Sequence, residues 1–250
     1  MSGTATRRFG VGWRNVTTRT IASVAVLQYS DGEYAFWYRA DAHAVPQFQA
    51  FIGFPELTRV YKSRRLFPFF DVRVMDKRRR DFAGYVQALG LPADAPALDV
   101  LSRSGGERKG DTIHVAEQPR PAEDGATEAV FLVRGVRYAT ANQSSAAALA
   151  DLKDGDRLEL QADRSNPVNK SALLITTPDD QVLGWVPDLL IDAVAALTAD
   201  PDASTTLVRN NGPSVPSHLR LLVRVSGKAP DAQRAFSGGA WEPSLVAHAM

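Results

Sequence analysis

The sequence of 250 residues contains no cysteine. Disulfide bonds, cysteine-based zinc ribbons and thiol catalysis are therefore excluded together. Histidine is also rare, and the four histidines lack the close spacing with which a metal site is usually built; they are His43, His114, His218 and His248. We therefore expect no metal site and no cofactor.

Long apolar runs are missing as well. No segment approaches the roughly 20 apolar residues that a membrane-spanning helix needs. The N-terminus carries Arg7 and Arg8 with no apolar core behind them, which is unlike a signal peptide. We expect a cytoplasmic protein without a membrane partner.

Recognisable catalytic motifs are also absent. No serine lies in a nucleophile elbow, and the paired carboxylates Asp179 and Asp180 stand in a predicted turn. The Gly-Gly pair at 105–106 lacks the Gly-Lys-Ser/Thr ending of a phosphate-binding loop, so a surface loop explains it better. We expect a protein that is not an enzyme.

What is present is the composition of an ordinary soluble protein, with 44% hydrophobic and 23% charged residues and a net charge of +1. The length allows one large or two small domains. Basic residues are concentrated around 62–65, 77–80 and 103–109. Each cluster fits a solvated surface at least as well as a phosphate-binding track, because the distribution of charge matters more than its sum.

The first hundred or so residues combine strands and a helix. Asp31-Gly32 is typical of a hairpin turn and would join a strand over 17–29 to one over 33–39. Apolar residues at helical spacing predict a helix over 81–91, and the run 66–70 is too apolar for a surface loop.

This order of elements resembles a known subdomain. A strand with Tyr34, Phe36 and Tyr38, followed by the Leu-Phe-Pro-Phe-Phe phrase at 66–70 and a helix, is similar to the small N-terminal subdomain of HipA-type toxin kinases. The catalytic parts of such a kinase are missing from the rest of the chain. The resemblance implies a part that packs against neighbours, including a protein partner, and does no chemistry.

The second half of the chain has the pattern of a small, strongly curved β-barrel. Asp154-Gly155 is a turn ahead of a strand in which Leu158 and Leu160 alternate with polar residues, and Asn166-Pro167 then interrupts the chain. The predicted elements are strands at 131–138, 157–161, 172–176, 182–186 and 219–225 and helices at 142–153 and 188–197.

Four phrases in this half resemble a HIRAN domain. They are Gly-Val-Arg-Tyr at 135–138, Gly-Asp-Arg-Leu at 155–158, Asn-Pro followed by Ala at 166–172, and Gly-Trp-Val-Pro at 184–187. The resemblance implies an OB-like or SH3-like barrel with one or two short helices. It also implies a module that grips single-stranded DNA at a free 3′ end.

Arg137 and Tyr138 are the first candidate site residues. They stand at the end of a predicted strand, where one side chain would point into the barrel and the other to its surface. A cation can neutralise a phosphate, and a flat ring can stack on a base. In the HIRAN family this pair contacts the terminal nucleotides. The competing interpretation is a barrel tyrosine beside an exposed arginine.

Asn169, Lys170 and Trp185 complete the candidate nucleic-acid-binding set. The family carries a tyrosine and an aspartate after Asn-Pro, where this chain has Val168 and Asn169, so the ring and the charged acceptor are lost. Lys170 would contact a phosphate or lie on an exposed turn. Trp185 would stack on a base or pack in the core.

We thus predict an α+β protein with an N-terminal hairpin-plus-helix subdomain at 8–100, a linker at 101–126, a barrel at 127–230 and a tail at 231–250. The first functional hypothesis is a non-catalytic adaptor that binds single-stranded DNA, with RNA left open. The alternative is a protein-interaction module related to HipA-type toxin–antitoxin systems, which does not bind nucleic acid.

Overall fold

The computed structural model describes residues 6–108, 110–122 and 124–243 as an α+β fold with two antiparallel sheets and short helices. None of the helices in these ranges has the length and apolar character to cross a membrane. The strands are β1 (Arg7–Arg14), β2 (Ile21–Ser30), β3 (Glu33–Tyr38), β4 (Tyr61–Ser63), β5 (Ile113–Glu117), β6 (Arg120–Pro121), β7 (Thr127–Leu132), β8 (Arg157–Ala162), β9 (Leu173–Thr176), β10 (Val182–Trp185), β11 (Ser204–Asn210) and β12 (Leu221–Gly227). The α-helices are α1 (Pro68–Asp71), α2 (Phe82–Ala88), α3 (Ala97–Ser104), α4 (Val136–Ala139), α5 (Gln143–Asp151) and α6 (Ile191–Thr198).

The first sheet has the strand order β4-β3-β2-β1-β5. The predicted hairpin between β2 and β3 is confirmed, and both turn residues adopt positive φ, 50° at Asp31 and 80° at Gly32. This is the backbone that a two-residue hairpin turn requires. The predicted helix over 81–91 is confirmed as the shorter α2.

Aromatic side chains fill the core beneath the first sheet. The ring centroids of Phe36 and Phe54 lie 4.0 Å apart, and Phe70 in α1 is fully buried, as expected for the apolar run. The Tyr38 hydroxyl donates to the Phe54 carbonyl at 2.9 Å and accepts from the Phe51 amide at 2.6 Å. The buried hydroxyl is therefore satisfied, and it fixes the irregular chain between β3 and β4.

Strand β1 is an interior strand of the first sheet, between β2 and β5, although its glycine-rich sequence carries no strand pattern. Phe9 and Val11 are buried in the aromatic core. A β-carbon at Gly10 would lie 2.7 Å from the Phe236 ring, and one at Gly12 would lie 3.0 Å from the Leu189 side chain. The glycines therefore allow residues of the second half of the chain to approach β1.

The second sheet has the strand order β10-β9-β8-β11-β12-β7-β6 and is curled. Its β10 edge returns to the chain that follows β7, where Arg134 and Trp185 exchange two backbone hydrogen bonds of 2.8 and 2.9 Å. The predicted curvature is therefore confirmed as a barrel-like sheet. The strand β11 was not predicted because its sequence is polar, yet Thr205 and Leu207 are buried on one side.

One further expectation is corrected where β7 ends. The strand was expected to continue through Tyr138, but β7 ends at Leu132 and Arg137 and Tyr138 lie in α4. Gly135 adopts φ 69°, and a β-carbon there would lie 2.6 Å from the Trp185 indole. Close packing of the indole on a left-handed glycine turns the chain out of the strand. Downstream, Asn142 caps the N-terminus of α5, and its side chain accepts a hydrogen bond from the Ser144 amide.

The segment predicted as a linker, 101–126, is built into both sheets among its described residues. It contains the end of α3, the strand β5 paired with β1, and the strand β6 paired with β7. The tail docks on the first sheet: the Trp37 indole donates to the Trp241 carbonyl at 2.7 Å, and Arg8 pairs with Glu242 at 2.9 Å. Residues 244–250 of the predicted tail lie outside the described residues. The division into domains stays a prediction.

Candidate nucleic-acid interface

A cleft of about 360 Å³ opens where the β5 edge of the first sheet faces the chain around α4. Both sheets supply its charged and aromatic walls. From the first sheet and its loops come Arg14, Arg19, Glu107 and His114, and from the second come Arg134, Arg137, Tyr138, Asp188 and His218.

Arg137 and Tyr138 lie together at this cleft. Both side chains are exposed, with Tyr138 at 59%, so the expectation that one would point inward is wrong. The Arg137 guanidinium lies 4.5 Å from the centroid of the Tyr138 ring and donates a hydrogen bond to its hydroxyl. The short helix α4 therefore presents a cation and an aromatic ring on the same surface, which are the two groups that a single-stranded nucleic acid contacts.

Trp185 has the contacts of a packing residue. The indole is partly buried beneath Gly135, and its Nε1 donates to the Asp163 carboxylate at 2.9 Å. Hydrogen bonds from Ser165 and then Trp185 hold the pKa of the Asp163 carboxyl below its usual value. Trp185 thus supports the turn that begins α4, and it is not among the residues that line the cleft.

The Asn166 loop approaches the cleft through one contact. Asn166 shapes the turn, as expected, because its Oδ1 accepts from the amides of Val168 and Asn169 at 3.0 Å each. The Asn169 amide donates to the Asp188 carboxylate at 2.6 Å, and Asp188 lines the cleft. Lys170 is exposed but does not line it.

An ion pair connects the two sheets across the cleft. The Glu107 carboxylate accepts from Arg134 at 2.6 Å and lies 3.1 Å from Nδ1 of His114. Partial burial raises the pKa of Glu107, but the hydrogen bond with His114 and the positive charge of Arg134 outweigh that effect and hold the pKa at about 2. Glu107 is therefore ionised at neutral pH and neutralises Arg134.

Sequence reasoning missed Arg14 and Arg19. Neither residue belongs to a basic cluster in the sequence, and only the fold brings them to the cleft that α4 also lines. Asn15 fixes the turn that carries Arg19, because its Oδ1 accepts from the amides of Thr17 and Thr18 at 2.8 and 3.1 Å. The motif Asn-x-Thr-Thr indicates this turn, but it does not indicate that the turn lies at the cleft.

The cleft carries an excess of positive charge. Arg14, Arg19 and Arg137 make no ion pair with any carboxylate in the described part of the chain, whereas Arg134 is paired with Glu107. Asp188 is the remaining carboxylate among the lining residues. Within the same described ranges, no group of three or more His, Asp or Glu side chains is arranged to hold a metal ion.

No protein-family model matches the sequence, and no curated protein matches it. A solved structure, the crystal structure of the HIRAN domain of human HLTF, is similar over 44% of this chain and 81% of that chain, with 17% identity and a TM-score of 0.31. A likeness of this extent assigns neither a family nor a site to the protein. The resemblance of the first hundred or so residues to HipA-type kinases stays a prediction.

Proposed function

We propose that this protein is a non-catalytic nucleic-acid-binding adaptor whose cleft receives a single strand. Phosphates would lie against Arg14, Arg19 and Arg137, and an unpaired base would stack on Tyr138. The observation that carries the proposal is that these guanidinium groups, none of them in an ion pair with a described carboxylate, line the same cleft as one exposed aromatic ring. An exposed ring selects unpaired bases, because the faces of paired bases are covered by their neighbours.

We propose in addition that the second half of the chain is a HIRAN-like barrel with an OB-like or SH3-like arrangement. The exchange of hydrogen bonds between Arg134 and Trp185 supports a closed barrel, since it joins β10 to the chain after β7. Closure also leaves fewer strand edges for non-specific pairing. This arrangement places α4 at the end of a strand, facing the cleft.

The 3′ end of the bound nucleic acid would be recognised through Asp188. Its carboxylate repels phosphodiester groups but can accept a hydrogen bond from a terminal sugar hydroxyl. Asn169, which replaces the acidic residue of the HIRAN pattern, holds this carboxylate at 2.6 Å. An oligonucleotide with a 3′-hydroxyl is therefore expected to bind more tightly than the same oligonucleotide with a 3′-phosphate. Equal binding of the two would contradict end recognition without affecting the remainder of the proposal.

Fluorescence anisotropy with a labelled oligothymidylate at 50 and 200 mM salt tests the proposal. Arg137→Ala is expected to weaken binding by about five- to tenfold and to reduce the salt dependence by about one phosphate contact. Tyr138→Ala is expected to weaken binding by roughly tenfold through lost stacking. Arg157→Ala, which removes an exposed arginine outside the cleft, serves as the matched control.

Two outcomes would overturn the proposal. In the first, the wild-type protein binds heparin and the oligonucleotide equally well, and Arg137→Ala weakens binding no more than Arg157→Ala does. In the second, the protein purifies with one stoichiometric protein partner and binds no oligonucleotide, which would favour the interaction-module alternative.

A further inference from the structure

A second cavity, of about 250 Å³, lies farther along β5 from the cleft. It is bounded by α3, β5, β6 and β7, and we refer to it as the Arg103 cavity. Four residues line both spaces: Val115, Ala116, Arg134 and Pro187. The two spaces therefore adjoin, and Arg134 is the charged residue among the four.

The carboxylates of the Arg103 cavity already have partners. Glu117 accepts from Arg7 at 2.7 and 3.0 Å and pairs with Arg120 at 3.1 Å. Glu128 pairs with Arg224 at 3.4 Å. These two acidic groups are thus occupied by arginines other than Arg103.

Arg103 is the cation that remains. It is partly buried in the last turn of α3 and makes no ion pair with a described carboxylate. Burial lowers the pKa of its guanidinium, and the nearby charges of Arg120 and Arg224 lower it further against the opposing effect of Glu117. A bound anion would relieve both effects.

A purely structural role explains Arg103 less well. An arginine in the last turn of a helix interacts favourably with the helix dipole, but this contribution is modest. Burying an unpaired charge costs more than that contribution. The same helix end could also be served by a fully exposed arginine, without the repulsion from Arg120.

We propose that the Arg103 cavity is a binding site for a phosphate group. Arg103 and Arg120 would donate to its oxygens, and Ser102 and Gln118 line the same space. Planar guanidinium groups match the oxygens of a phosphate in pairs, and a phosphate anion suits a cavity in which the carboxylates are occupied. The phosphate can come from two sources. The first is the backbone of a nucleic-acid strand that continues from the adjoining cleft, and this source rests on the proposed function. The second is a free phosphate or a phosphate monoester.

Thermal unfolding of the full chain with inorganic phosphate is the first test. Phosphate at 10 mM is expected to raise the Tm of the wild-type protein relative to chloride at the same ionic strength, because the ligand binds only the folded state. Arg103→Gln is expected to lose this rise, and isothermal titration with phosphate should show at least tenfold weaker binding. Arg157→Gln serves as the control for a general loss of charge and should keep the rise.

Stability in the absence of phosphate separates a binding role from a structural one. Since Arg103 has no described ion pair, Arg103→Gln is expected to unfold in chloride at the same Tm as the wild-type protein or above it. No phosphate-specific rise in the wild-type protein, or an equal rise in Arg103→Gln, would overturn the proposal. Loss of stability in chloride without any change in phosphate affinity would overturn it as well.

The source of the phosphate is decided by competition. If a strand supplies it, inorganic phosphate displaces the labelled oligothymidylate, and Arg103→Gln weakens oligonucleotide binding. If the phosphate is free, both ligands bind at once, and Arg103→Gln leaves oligonucleotide affinity unchanged. Arg137→Ala should retain phosphate binding in either case, so failure of the cleft as a nucleic-acid site and failure of the Arg103 cavity are distinguishable.

Discussion

The ion pair between Glu107 and Arg134 gives the most direct test of how the two sheets are joined. Glu107→Gln removes the negative charge while keeping the size and shape of the side chain. It leaves Arg134, whose side chain is 22% exposed, without its counter-charge. The charges of His114 and His218 also act on the Glu107 carboxylate, and each histidine adds positive charge when it is protonated. We expect the variant to be less stable than the wild-type protein at neutral pH.

The size of the effect follows from the pKa of Glu107, which falls from 4.5 to about 2 in the folded protein. At full strength that difference corresponds to roughly 3.4 kcal/mol, at 1.36 kcal/mol for each tenfold change. The side chain is 31% exposed, so solvent screening reduces the expected contribution to roughly 1–2 kcal/mol. Because the folded-state pKa is lowered, this stabilisation is present above the ordinary pKa of 4.5 and is lost as the pH falls toward about 2.

Urea unfolding at pH 7, 4.5 and 3 measures the difference. The free energy of unfolding of Glu107→Gln should be lower than that of the wild-type protein by about 1–2 kcal/mol at pH 7, and less than about half of that difference should remain at pH 3. Glu56→Gln is the control, since Glu56 is 58% exposed and pairs with the exposed Arg59; its effect should stay below about 0.5 kcal/mol. A difference that does not change with pH, or one no larger than that of Glu56→Gln, would refute the reasoning.

Two further substitutions test the packing that positions the cleft. Gly135→Ala should destabilise the protein by about 1–3 kcal/mol more than Gly212→Ala does. Both glycines have a similar left-handed φ, but only at Gly135 would the added β-carbon meet the Trp185 side chain. Urea unfolding of the two variants measures the difference, and equal losses of stability would contradict the prediction. Phe236→Ala should lower the free energy of unfolding by about 3–5 kcal/mol, because the buried ring packs against Gly10. A loss below about 1 kcal/mol in the same assay would show that the tail does not hold the sheets together.

Elements defined by local chemistry were predictable from the sequence. Asp31-Gly32 favours a two-residue hairpin turn, and the same residues adopt positive φ in the structure. Asp154-Gly155 likewise precedes β8, and the spacing of apolar residues in α2 gives its buried side. In these cases the backbone conformation depends on a few neighbouring residues, so the pattern carries enough information.

Elements defined by distant neighbours were not predictable in the same way. Glycine disfavours strands, yet β1 is an interior strand whose Gly10 and Gly12 leave room for Phe236 and Leu189, which are far away in the sequence. Strand β11 was not predictable because its composition is polar. That composition suits a strand whose side chains are mostly only partly buried.

The candidate site divides along the same line. The sequence by itself determined that Arg137 and Tyr138 are adjacent and that Asn166 turns the chain, because adjacency and Asx turns are local properties. Only the tertiary structure decided that Trp185 packs against Gly135 and that Arg14 and Arg19 line the same cleft as α4. The reason is that the cleft lies between two sheets, and the relative placement of sheets is fixed by contacts between residues far apart in the chain, which no local pattern encodes.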